Sequence, residues 1–167
     1  MSALGILEIL IELACAALLL RIAVRDFKTL TVSNADNLAL LGLYLLWAAT
    51  RGFQDFWTDL LIGGLLFGVA LIMWLLRTLG AGDVKLYFTL GMLIGIKASA
   101  LFVVILLVLS FLFAAILRWV KLPDADQATS PTKWRLREIQ ITGRLPYAVV
   151  MVLAAALPLA LRFAGAA

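Results

Sequence analysis

Six long apolar segments, separated mostly by short polar connections, constrain this chain more than any other feature. They cover about residues 4–24, 37–50, 58–79, 84–96, 98–120 and 145–163. A helix of about 20 apolar residues crosses a bilayer, and the alternating pattern of barrel strands is missing. Only 14% of the residues are charged, against about 25% in soluble domains. The pattern predicts an all-α, polytopic membrane protein with six transmembrane helices, in a single domain over residues 1–167.

The missing residue types exclude whole classes of chemistry. The chain has no histidine, and Cys15 is its one cysteine. Cys/His metal sites, histidine-based triads and an internal disulfide are therefore excluded, and no metal or cofactor is expected. Catalysis would have to rely on carboxylates. The net charge of +4 requires no nucleic acid, because anionic membrane lipids are a sufficient partner.

Lysine and arginine are distributed unevenly between the two sides of the predicted bundle. If the N-terminus lies outside, Arg51, Lys97 and Arg162 lie on the outer side. The inner connections and their flanks then hold the other eleven of the 14 basic residues: Arg21, Arg25, Lys28, Arg77, Lys85, Arg118, Lys121, Lys133, Arg135, Arg137 and Arg144. Basic residues concentrate on the cytoplasmic side of membrane proteins. We therefore expect a multi-pass protein of the inner (cytoplasmic) cell membrane with its N-terminus outside.

A carboxylate framed by glycines separates the third and fourth segments. Gly80, Gly82 and Asp83 lie in the run Gly-Ala-Gly-Asp-Val-Lys. An ionisable group at a membrane is costly to keep and indicates function. Glycine permits positive φ and close approach of another backbone. The alternative is structural: Gly80 would end one helix, and Asp83 would be the N-cap of the next.

A second acid, Asp26, opens the first inner connection, so both aspartates are predicted on the cytoplasmic face. The next helix is expected to begin with Asn34 or Asp36 as its N-cap. Asp36 is a competing acid on the same side. Asp124 and Asp126 are interpreted as solvated residues of the long loop between residues 121 and 144.

These features together resemble the type IV prepilin peptidase family. The resemblance rests on Asp26 at the end of helix one, Asn34 eight residues later, Gly-x-Gly-Asp-Val-Lys before helix four, and the six-segment plan. It extends to the run Leu145, Pro146, Tyr147, Ala148 that enters the last helix. It therefore covers most of the chain.

The resemblance implies an aspartic endopeptidase that removes the short basic leader of a prepilin or pseudopilin at the cytoplasmic face. Asp26 and Asp83 would form a catalytic dyad, in which one carboxylate takes a proton from water and the other donates a hydrogen bond to the scissile carbonyl. Gly80 and Gly82 would accept the extended substrate backbone, with Asn34 as a further substrate-binding residue. Grooves between helices would hold the apolar helix of the substrate.

The chain differs from the family pattern in three places. Family members often have Ile-Pro-Asn where this chain has Val32, Ser33 and Asn34, and Pro-Tyr-Gly where it has Pro146, Tyr147 and Ala148. Neither change removes a carboxylate. Larger members carry a Cys-x-x-Cys zinc loop and methylate the product. This chain lacks that loop and resembles the short, peptidase-only branch, for which methyl transfer is not expected.

Two other function classes compete with the peptidase. An ion- or proton-coupled transporter would need polar groups along a path across the bilayer, and segments 58–79, 98–120 and 145–163 are nearly free of acids. A non-catalytic scaffold of a pilus or secretion system would use the aspartates only as helix caps. Membrane proteases that cut within transmembrane helices share Gly-x-Gly-Asp, but their Tyr-Asp pair and Pro-Ala-Leu tripeptide are missing here.

Small and charged residues on the helices lead to further expectations. Gly64 with Gly68, and Gly91 with Gly95, are spaced to let helices pack closely. Lys85 is expected to contact lipid headgroups rather than Asp83.

Overall fold

A computed structural model describes residues 3–119 and 146–165 of the chain. Within these two ranges there are five helices and no strand: α1 (Ala3–Thr29), α2 (Asn34–Thr50), α3 (Phe56–Leu75), α4 (Ala81–Trp119) and α5 (Tyr147–Phe163). The predicted all-α class is confirmed. The long loop with Asp124 and Asp126 lies outside the described residues.

Within the described ranges, three helices have the length and composition to cross a membrane: α1, α3 and the part of α4 from Ala81 to Ile116. The helix α5 is apolar but shorter. Large apolar side chains such as Leu20, Leu65 and Leu107 are more than half exposed on the outside of the bundle. Soluble monomers rarely expose so much contiguous apolar surface. The fold is that of a multi-pass membrane protein.

The helix α4 folds back on itself at Gly95, which divides it into a first arm (residues 81–94) and a second arm (residues 96–119). Gly95 has φ 68° and ψ 179°, a conformation open mainly to glycine. The hydroxyl of Tyr147 on α5 lies 3.1 Å from the Tyr87 hydroxyl and 3.5 Å from Ser110 Oγ. Along a continuous helix Tyr87 and Ser110 would be about 35 Å apart. The two arms correspond to the predicted segments 84–96 and 98–120, and the turn lies inside the first of these.

The closest helix crossing joins α3 to the first arm of α4. A Cβ atom on Gly91 would lie 2.7 Å from the Cα atom of Gly63, and one on Gly63 would lie 2.9 Å from the carbonyl oxygen of Phe88. The expectation for Gly91 is therefore confirmed. The expectation for Gly64 and Gly68 is wrong, because a Cβ atom at either would meet nothing within 4 Å. Gly63, one residue earlier, faces α4 instead.

A buried ionic cluster, which we call the Asp59–Arg162 cluster, holds four helices together. Oδ2 of Asp59 accepts a hydrogen bond from the Tyr44 hydroxyl at 2.9 Å and another from Nη2 of Arg162. Nη1 of Arg162 donates to the carbonyl of Met92 at 2.8 Å, just before the turn in α4, where helical hydrogen bonding is interrupted. Asp59 and Arg162 are buried. The cluster thereby ties α2, α3 and α5 to the turn of α4.

Two helix ends differ from those predicted, and both affect the acidic residues. The helix α1 continues past residue 24, so Asp26 lies within the helix rather than in a connection, and its carbonyl accepts from the Leu30 amide at 2.7 Å. The N-cap of α2 is Ser33, whose side chain accepts from the Ala35 amide, not Asn34 or Asp36. The connection between α1 and α2 is therefore shorter than expected.

Candidate active site

Asp26 lies in the last two turns of α1 and points into the bundle. Its side chain is buried, and Oδ2 accepts a hydrogen bond of 2.9 Å from the backbone N–H of Ala148. Ala148 is the second residue of α5, where amide groups have no partner within the helix. The N-terminus of a helix stabilises a negative charge. The start of α5 is therefore a favourable environment for an ionised Asp26.

Asp83 is the third residue of α4 and is partly buried. Its Oδ2 accepts a hydrogen bond from the Gly80 amide at 3.3 Å. Since α4 begins at Ala81, Asp83 is not the N-cap that the structural alternative assumed. It instead reaches back to the residue before the helix, as the third residue of a capping box does. This contact leaves room on the carboxylate for a second partner.

The fold brings Asp26 and Asp83 together from helices that are far apart in sequence. The two carboxylates are near enough for an unfavourable electrostatic interaction between them. The helix α1 packs on α2 and α5, and α4 packs on α2, α3 and α5. The helices α2 and α5 therefore hold the end of α1 beside the start of α4. The negative charge of Asp26 thereby disfavours ionisation of Asp83.

Contacts within the chain require glycine at position 82 and bring position 80 close to the Asp83 carboxylate. A Cβ atom on Gly82 would lie 2.9 Å from both the Cβ and the carbonyl oxygen of Val32, and one on Gly80 would lie 2.9 Å from Oδ2 of Asp83. Neither glycine is among the described residues with positive φ. The backbone close to Gly82 is that of the α1–α2 connection, and substrate binding at Gly80 and Gly82 stays a prediction.

Asn34 and Lys85 contact each other. Nζ of Lys85 donates to Oδ1 of Asn34 at 2.7 Å, which joins the start of α2 to the first arm of α4. Lys85 was expected to contact lipid headgroups, and its hydrogen bond to Asn34 was not predicted. The contact positions Asn34 beside the Gly80–Lys85 run.

Asp36, the competing acid, has basic partners. It is buried and forms ion pairs with Arg21 at 3.5 Å and Arg25 at 3.3 Å. Both arginines lie on α1, one helical turn apart, and both are largely exposed. These ion pairs hold α1 against α2 and account for Asp36 without a catalytic role.

Sequence reasoning missed two polar features near the aspartates, a pair of tyrosines and Asn37. Tyr87 and Tyr147 stack with their ring centroids 6.3 Å apart, and Tyr87 interacts electrostatically with Asp83. The spacing of four residues between Asp83 and Tyr87 places them on one face of the helix and could have indicated this contact. The other group is Asn37, which is buried in the first turn of α2 and donates to the carbonyl of Gly82 at 3.4 Å.

Comparison with known proteins identifies the family. The model of the type IV leader peptidase family matches residues 13–118, which is more than half of the chain and includes both Asp26 and Asp83. No curated protein and no solved structure is a significant match. The members of the matched family are proteases of leader peptides. The chain therefore belongs to the type IV leader peptidase family.

Proposed function

We propose that the protein is an aspartic endopeptidase that removes the short basic leader of type IV prepilins or prepilin-like proteins. The proposal is supported by the electrostatic interaction of Asp26 with Asp83, from two helices that are distant in sequence, in a member of a leader peptidase family. The substrate would be a membrane protein with a basic leader followed by an apolar helix. Its peptide bond must be extended near the dyad, because helical peptide bonds are shielded.

The surroundings of the two carboxylates support different roles for them. The N–H of Ala148 at the start of α5 stabilises negative charge on Asp26. Asp26 is therefore the ionised member, which takes a proton from the attacking water. Asp83 carries the shared proton and donates a hydrogen bond to the scissile carbonyl. The hydroxide adds to the carbonyl carbon, and a proton passes to the leaving amine when the C–N bond breaks.

The reaction would take place at the cytoplasmic face of the inner membrane. In the proposed topology α1, α2, α3, the two arms of α4 and α5 are six membrane segments, and the N-terminus lies outside. The end of α1 and the starts of α4 and α5 then share the cytoplasmic side, where eleven of the 14 basic residues are also placed. Single cysteines at Lys28 and Arg51, in a variant without Cys15, test this with a membrane-impermeant thiol reagent: position 51 should react from outside, and position 28 should not.

The peptidase activity is tested by co-expression with a prepilin. Loss of the leader is followed as a shift on a gel, with Asp26→Asn, Asp83→Asn and Asp36→Asn variants of the protein. The first two should leave the prepilin uncut, and Asp36→Asn should still cleave it. Asparagine still accepts the hydrogen bonds made to Asp26 and Asp83, so a scaffold would keep working in both variants. Full processing by Asp26→Asn and Asp83→Asn would end the proposal.

A further inference from the structure

A groove opens between α2, α3 and the first arm of α4, and its lining includes Lys85, two residues after Asp83. Its volume is about 580 Å³. Its polar end is formed by Asn34, Asn37 and Lys85, which lie near the starts of α2 and α4. The remaining lining residues are Leu38, Leu41, Gly64, Phe67, Phe88 and Thr89.

Asn37 gives the polar end of the groove an unused hydrogen-bond acceptor. The residue is only 5% exposed, and its Nδ2 donates to the carbonyl of Gly82. Its Oδ1 is buried and has no hydrogen-bond partner among the described residues. A buried acceptor without a donor is costly and rare in folded proteins. The position therefore favours a ligand that brings an N–H group, which the acyl chain of a lipid does not have.

The charge of the groove selects between the two parts of a prepilin. Among the described residues that line the groove, Lys85 is the one charged residue, and none is acidic. A basic leader would be repelled by Lys85, whereas an apolar helix is compatible with Leu38, Leu41, Phe67 and Phe88. The bound leader should therefore extend from the dyad on the side away from this groove.

We infer that the groove between α2, α3 and α4 binds the apolar helix of the substrate, and that Oδ1 of Asn37 accepts a backbone N–H from the extended residues next to the cleaved bond. This inference rests on the proposed peptidase function. Asn37 bonds to the carbonyl of Gly82, which adjoins Asp83. In the proposed complex, a substrate held by Asn37 would reach the dyad past this carbonyl.

Two glycines of α3 provide a matched test of the groove. A Cβ atom at Gly64 or Gly68 would meet nothing within 4 Å, so both positions accept a larger side chain, but only Gly64 is among the groove residues. With a prepilin in phospholipid vesicles, Gly64→Leu should raise KM about tenfold and leave kcat nearly unchanged. Gly68→Leu should change neither constant. Equal KM values for the two variants and the original protein would overturn the inference.

Asn37→Leu separates substrate binding from a structural role. Leucine has a similar size and removes both the unpaired buried acceptor and the hydrogen bond to the Gly82 carbonyl, two opposing effects, so thermal stability should change little while KM for the prepilin rises about tenfold. A structural role would instead lower the stability. An unchanged KM would show that Oδ1 contacts no substrate.

Photo-crosslinking tests the groove without cleavage. A benzoylphenylalanine replaces Leu41, which lines the groove, or Leu45, one turn further along α2 and outside the lining, in the Asp26→Asn background. Position 41 should crosslink to the apolar helix of the prepilin, and position 45 should not. A crosslink from position 41 to phospholipid alone would overturn the inference. If the original protein left the prepilin uncut, the peptidase proposal would fail, and this crosslink would still report the occupant of the groove.

Discussion

The helix α5 connects two buried acidic sites that are built in opposite ways. Its first turn donates the N–H of Ala148 to Asp26, and its last turn carries Arg162, which pairs with Asp59. The two residues of α5 are about 21 Å apart along the helix. Asp59 has a cation and a tyrosine hydroxyl as partners, whereas Asp26 faces a second carboxylate, that of Asp83.

The difference separates a structural from a chemical use of buried charge. Oppositely charged partners in the Asp59–Arg162 cluster neutralise each other and fix the turn of α4, and removal of either would leave an unpaired charge. The charge of Asp26 acts unfavourably on Asp83, and acids perturbed in this way are characteristic of catalytic sites. Lys85 could have neutralised Asp83, but it bonds to Asn34 instead.

The largest effect is expected from removing one charge of the acidic pair. Asp83→Asn should lower the rate of leader cleavage by about a thousandfold or more. The free energy of unfolding should stay the same or rise, because asparagine still accepts from Gly80 and the repulsion from Asp26 is gone. Cleavage kinetics and denaturant unfolding in detergent micelles measure the two quantities. A variant that lost stability together with activity would contradict the proposed contrast between the two sites.

At the Asp59–Arg162 cluster, removal of a charge is expected to lower the stability of the protein rather than its cleavage chemistry. Arg162→Met leaves Asp59 buried without its cation and should lower the free energy of unfolding by about 3–5 kcal/mol. The double variant Asp59→Leu, Arg162→Met removes both charges and should recover most of that loss. Denaturant unfolding in micelles measures each step. Should Arg162→Met abolish cleavage in a protein of unchanged stability, the cluster would belong to the reaction.

A larger side chain at the crossing of α3 and α4 should lower both the stability and the rate of cleavage. Gly91→Ala places a Cβ atom 2.7 Å from the Cα atom of Gly63, so the two helices must separate, at a cost of about 1–3 kcal/mol. Asp83 begins the same arm of α4, so cleavage should fall together with stability. Gly68→Ala is the control and should change neither. If Gly91→Ala were as stable as the original protein, the two helices would adjust to the added Cβ atom at little cost, and this prediction would be wrong.

The smallest effect is expected at Asp36, whose charge is paired with two exposed arginines. Ion pairs with such mobile partners contribute about 0.5–1 kcal/mol, so Asp36→Asn should lower the unfolding free energy by no more than that. The cleavage rate per folded molecule should be unchanged. A loss of cleavage as large as that of Asp83→Asn would place Asp36, rather than Asp26 or Asp83, in the dyad.

The apolar segments and the spacing of Asp26 and Asp83 were readable from residue order alone. Long apolar runs form helices because a membrane leaves no other way to satisfy the backbone. Both aspartates stand out because charged residues are few. A reversal of the chain was also expected between the segments 84–96 and 98–120, although its position at Gly95 was not.

The tertiary structure alone decided which faces of these helices meet. In a membrane protein nearly every face of a helix is apolar, so periodicity does not separate the bundle side from the lipid side. This is why Gly64 was expected at a crossing that Gly63 makes, and why Arg162 was not linked to Asp59. The free acceptor of Asn37 depends on the same rotations. Residue order determined the helices and their charges, and packing determined which charges meet.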